Sequence, residues 1–122
     1  MTAELSARLA EYHVLALYDR MRFVRYGDMA AARRDRELAR LAGALVDAGV
    51  PVDHAGNFPV STAAELVAAF ERVARPRVRR LERETAPVTL ANGTVYTGTR
   101  TRYNGTSLDT WRELARNLGA SA

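Results

Sequence analysis

Apolar positions recur every three or four residues over most of this chain, the spacing of helices that pack along one face. The first run begins near Ala3, where Leu5, Leu9, Tyr12, Ala16 and Leu17 share a stripe. Glu4 and Arg8 add an i,i+4 pair in the favourable orientation. A helix is predicted over about residues 3–25. Its middle, Val14-Leu15-Ala16-Leu17-Tyr18, is apolar almost all round, so it must be packed on more than one side. It is either the central helix of the domain or part of an oligomer interface.

Gly27-Asp28 ends that helix and caps a second over about residues 29–48. Leu38, Leu41 and Leu45, flanked by Ala42 and Val46, are its buried stripe, and its first half is polar or small. Gly49, Val50 and Pro51 stop it, with Val50 free to fold back on Leu45. After a loop over residues 50–60, Thr62 and Glu65 make a capping box that opens a third helix over about residues 63–84. Leu66, Phe70, Val73 and Ala74 face inward. Pro76 kinks or breaks this helix, because it lacks an N–H and collides with the carbonyl four residues earlier.

The period then changes from helical to alternating. Val88 to Ala91 and Thr94 to Tyr103 flank Asn92-Gly93, the strongest short-range signal for a two-residue hairpin turn. That turn sets Leu90 opposite Val95 and Val88 opposite Thr97, and Pro87 ends the pairing at Gly98. The expected hairpin, residues 88–103, is therefore lopsided, with Thr99, Thr101 and Tyr103 on an overhang whose backbone groups need another partner. A second Asn-Gly turn at Asn104-Gly105 precedes a cap at Thr106 or Ser107. The last helix, about residues 107–118, carries Leu108, Trp111, Ala115 and Leu118 inward. The expected fold is α+β and mainly α: a bundle of three helices, one proline-kinked, then a β-hairpin and a C-terminal helix, in one domain over residues 1–122.

Composition narrows the setting. The 122 residues include no cysteine, which suits a reducing cytoplasm and rules out a disulfide framework. The first residues lack a basic segment followed by an apolar one, so no signal peptide is expected. No apolar run approaches a membrane span, and no membrane partner is expected either. All 18 basic side chains are arginine, and lysine, isoleucine and glutamine are absent. That bias fits a high-GC genome, such as that of an actinobacterium or one of its phages, and lowers the weight of each arginine as a chosen contact. The net charge of +4 still permits an acidic partner. The Asn-Gly-Thr triplets at Asn92 and Asn104 read as turns, not glycosylation sites.

Candidate chemistry is sparse. His13, between Leu9 and Leu17 on its helix, reads as a core or interface histidine, and His54 as a surface-loop residue. No second ligand stands at metal spacing and no nucleophile motif or phosphate-binding glycine loop occurs, so no metal, cofactor, catalytic residue or small-molecule substrate is expected. Arginines crowd around Pro76 and again near Arg33-Arg34. They are diluted by acids, and pairs such as Glu71–Arg75 and Arg80–Glu84 would make a solvated face.

Two functions follow as expectations. In the first, the chain is a non-enzymatic assembly protein of the cytoplasm, or of a virion. It would oligomerise with itself or other subunits through the apolar helix and the hairpin edge, using Val14, Leu15, Tyr18, Thr99, Thr101 and Tyr103. Helical subunits with a protruding hairpin resemble a phage head-tail connector in architecture alone. The alternative is a DNA-binding regulator of winged-helix-like order, with Arg77, Arg79, Arg80, Tyr96, Arg100 and Arg102 as nucleic-acid contacts.

Overall fold

The computed structural model of the chain describes residues 1–21, 29–96 and 102–120. Helix α1, Ala3–Met21, is the hub and packs on α2 (Met29–Asp47), α3 (Ala63–Ala69) and α5 (Arg102–Leu118). Helix α4, Arg75–Thr85, lies along α5. Residues 22–25, expected to extend α1, lie outside the described residues. The wide apolar belt of α1 is used inside the subunit: Val14 is fully buried, and Leu15 and Tyr18 are buried with it. These three side chains join Phe70 and Ala74 from the turn between α3 and α4, Val78 and Leu81 from α4, and Leu108, Trp111 and Leu114 from α5, in one core. Tyr18 stacks on Trp111 with ring centroids 3.8 Å apart and planes 15° from parallel.

A proline inside a helical run is accommodated here without a break. Residues 70–74 form a π-helical turn between α3 and α4, in which the Arg75 N–H donates to the Phe70 carbonyl. The wider turn takes up the strain that Pro76 would otherwise impose on an i to i−4 ladder, and Pro76 then occupies the first turn of α4. The start of α3 is the expected capping box. The Thr62 hydroxyl accepts from the Glu65 N–H at 3.2 Å, and the Glu65 carboxylate accepts from the Thr62 N–H at 2.8 Å. The Thr62 backbone N–H, and then its hydroxyl, hold the Glu65 carboxyl below the usual carboxylate range. A depressed folded-state pKa contributes stability above the unfolded value and loses it as pH falls through the folded one. Acidification should therefore weaken this cap. Replacing Thr62 by alanine should lower stability by about 1 kcal/mol and reduce the acid dependence, as denaturation at pH 7 and pH 3 would measure.

The C-terminus of α2 is a Schellman motif. Val50 N–H donates to the Leu45 carbonyl and Gly49 N–H to that of Val46, both at 3.0 Å, with Gly49 at φ +96°. Val50 is folded back on Leu45, and with Leu9 they form a small second core.

The α+β expectation is corrected. The described chain is helical; no sheet layer forms in it, and the hairpin expected over residues 88–103 is not present among the described residues. Extended pairing is confined to Val88–Thr89 beside Val95–Tyr96, and its register is Val88 opposite Tyr96 and Thr89 opposite Val95. The cause lies in the turn. A two-residue type I′ turn needs positive φ at Asn92, yet no residue but glycine adopts it among the described residues. Gly93 alone does so, at φ +83°. Gly93 N–H donates to the Leu90 carbonyl at 2.9 Å and Leu90 N–H to that of Thr94 at 2.8 Å, enclosing Ala91, Asn92 and Gly93 as a three-residue loop. One extra loop residue shifts the register by one and reverses the expected faces.

The predicted overhang is corrected at its far end. Thr99, Arg100 and Thr101 lie outside the described residues, and Arg102 and Tyr103 are the first residues of α5, not strand. Asn104-Gly105 is also helical. Glycine inside a helix costs roughly 1 kcal/mol relative to alanine. Extending a helix already anchored by Leu108 and Trp111 avoids the larger cost of nucleating one.

Candidate functional site

Among the helices, α2 is the least covered. Leu45 is its one buried side chain among the described residues, and Leu38, Leu41 and Ala42 are half-buried against α1. From Leu38 to Ala48 only Arg40 and Asp47 are charged, so apolar and small side chains cover most of its circumference. Val46 is 51% exposed and Val52, just beyond the helix, 42%. Gly43 is exposed in mid-helix, and a Cβ there would meet nothing within 4 Å. Nothing inside the subunit requires glycine at that position.

Beside this helix runs a cleft of about 630 Å³ between α1, α2 and the loop that follows. Leu38, Gly43 and Val46 line one wall, Tyr12 and His13 the floor, and Val52 and Phe58 the far side. The loop is a firm wall. Asp53 Oδ1 accepts from the N–H groups of Ala55 and Asn57, both at 2.9 Å. Phe58 meets the Tyr12 ring edge-on at 5.2 Å. His13 Nε2 lies 2.8 Å from the Pro59 carbonyl, and because a carbonyl only accepts, that nitrogen donates. His13 is therefore a strut between α1 and the loop. His54 is exposed in the loop's turn. No cluster of three histidine or acidic side chains among the described residues could hold a metal ion. A wall of valine, leucine and phenylalanine over a committed histidine offers a surface for packing.

The arginines near Pro76 are largely engaged within the subunit. Arg72 pairs with Glu11 at 2.9 Å, and Arg75 pairs with Glu71 at 3.1 Å while lying 5.3 Å above the Phe70 ring. Arg77 bridges α4 to α2 through Glu37 at 3.1 Å. Arg79 and Arg80 are exposed, Tyr96 falls in the two-residue pairing, and Arg102 begins α5. Arg100 lies outside the described residues. With extended pairing limited to two residues a side, no wing or protruding arm stands among the described residues, and the DNA-binding, virion and connector readings lose their basis. Of the six interface candidates, Val14, Leu15 and Tyr18 are in the core, Tyr103 is in α5, and Thr99 and Thr101 are outside the described residues.

No protein family, curated protein or solved structure matches the chain. No helix among the described residues is long and apolar enough to cross a membrane. Sequence reasoning passes over Gly43 and Asp47, takes Arg40 only as part of a diluted basic stretch, and places Val46 in the buried stripe of α2, where the structure instead leaves it exposed. Their signal was present in the second half of α2, whose apolar arc is wider than a single packing face needs.

Proposed function

We propose that the chain is a non-enzymatic assembly protein of the cytoplasm that associates with further copies of itself through the uncovered side of α2. One observation carries this: α2 is packed on one side only, while apolar Val46 and Val52 stand exposed along it. Apolar residues gathered at one place, beside a firm cleft, mark association surfaces more often than scattered single ones do. The interface therefore moves from the centre of α1, which the core consumes, to the neighbouring helix.

Sedimentation equilibrium over a range of concentrations is the test. A mass above the 13.5 kDa of one chain, rising with concentration, is expected. Val46→Arg should shift the distribution back to single chains. A single-chain mass at every concentration overturns the proposal.

A further inference from the structure

Resting on that self-association, we infer that α2 pairs antiparallel with α2 of a second copy across a two-fold axis, crossing at Gly43 and Ala44. Three features converge on the outer side of α2. The first is charge. Arg40 and Asp47 are both exposed, and neither has an ion-pair partner among the described residues. They stand seven residues apart, two turns of helix, and so share one side.

When α2 is laid antiparallel on its copy with Gly43 opposite the partner subunit's Ala44, Arg40 falls opposite the partner subunit's Asp47. A two-fold axis repeats the contact, so one complementary pair becomes two equivalent bridges. A parallel pairing in register would place Arg40 against Arg40 instead.

The second feature is Gly43. It is exposed in mid-helix, with open space where its Cβ would be. Glycine at a crossing point lets two helix axes approach to the lower end of the usual range of about 8–10 Å.

The third is one flank of the same face, where Val46 and Ala39 are exposed. The antiparallel arrangement sets Val46 beside the partner subunit's Ala39 and covers it. The seam then carries Arg40 and Asp47 along its middle between Gly43 and Ala44, with Ala39 and Val46 on one flank.

Charge exchange in the full chain tests this pairing. Arg40→Asp and Asp47→Arg, made singly, each create two like-charge contacts and should weaken association by about tenfold. The double exchange restores the complement and should bring the dissociation constant back to within about threefold of the original. Loss in the single variants with no recovery in the double overturns the pairing. A multimer indifferent to the single exchanges also overturns it, and leaves self-association standing. A single chain at every concentration overturns both.

The absence of cysteine allows a second measurement. Gly43→Cys places one thiol at the crossing, so any disulfide must join two chains, and mild oxidation should give a covalent dimer. Arg83→Cys, exposed on α4, should stay a single chain under the same conditions. Equal dimer yields from the two variants would sink the inference.

Discussion

Replacing Trp111 by alanine should destabilise the protein by about 3–5 kcal/mol, the range for removing a buried aromatic side chain and leaving a cavity. Trp111 is 3% exposed and meets two other elements at once. Its ring stacks on Tyr18 of α1 at 3.8 Å and meets Phe70, at the head of the π-turn, edge-on at 6.2 Å. The ring thus joins α5 to the central helix and to the α3–α4 rod. Domains of this size are commonly stable by about 5–15 kcal/mol, so one substitution removes a large share. In thermal unfolding followed by circular dichroism, the midpoint should fall by roughly 10–20 °C. Trp111→Phe keeps a ring between Tyr18 and Phe70 and should recover more than half of the loss. A midpoint within about 3 °C of the original for the alanine variant would show that this stack does not hold the helices together.

Helices whose ends carry explicit chemistry are legible in the chain. Thr62 with Glu65 and Gly49 with Val50 mark their boundaries through side-chain and backbone hydrogen bonds that involve near neighbours only. The centre of α1 is legible as a belt packed on several sides. Whether the covering comes from the same chain or another depends on contacts distant in sequence, such as Tyr18 with Trp111. Leu114, which the spacing of Leu108, Trp111, Ala115 and Leu118 leaves out, is among the most deeply buried side chains. Three helices, α1, α3 and α4, pack on α5, which widens its apolar face beyond one stripe.

The failures come where local preference and context part. Asn92-Gly93 offers a tight turn, but the choice between two and three loop residues depends on whether Asn92 takes positive φ. Here the Asn92 carboxamide oxygen accepts from the Thr94 N–H at 3.0 Å, a local bond that suits the longer loop. Asn104-Gly105 is the same dipeptide in a helix, so twelve residues on it signals something else. The α1 interface candidates turn inward for a related reason. Val14, Leu15 and Tyr18 are the more apolar stretch, and that is why the core takes them. Residues left for an interface are those whose neighbours run out, and a count of neighbours exists only in three dimensions.

Phe70→Ala is the second substitution expected to cost about 3–5 kcal/mol, and it should also disturb the helix that carries it. Phe70 is fully buried, its carbonyl accepts the π-type bond from Arg75, and its ring lies under the Arg75 guanidinium and against Trp111. Pro76 alone does not say where the wider turn must sit. The buried ring at its first position fixes it, because shifting the wide turn by one residue would rotate Phe70 away from Trp111 by about 100°. Removing the ring should therefore loosen backbone hydrogen bonds from Phe70 to Arg75, read as faster amide exchange there than in α1. Arg75→Ala removes the charge above the ring and an ion pair with Glu71 whose arginine is largely buried, and should cost about 1–2 kcal/mol, less than loss of the ring itself. Because Phe70 and Trp111 touch, the double alanine variant should lose less than the sum of the two, by about 0.5–1.5 kcal/mol. Strict additivity would mean that the two rings act on separate parts of the core, and that the position of the π-turn is set by Pro76 without help from the stack.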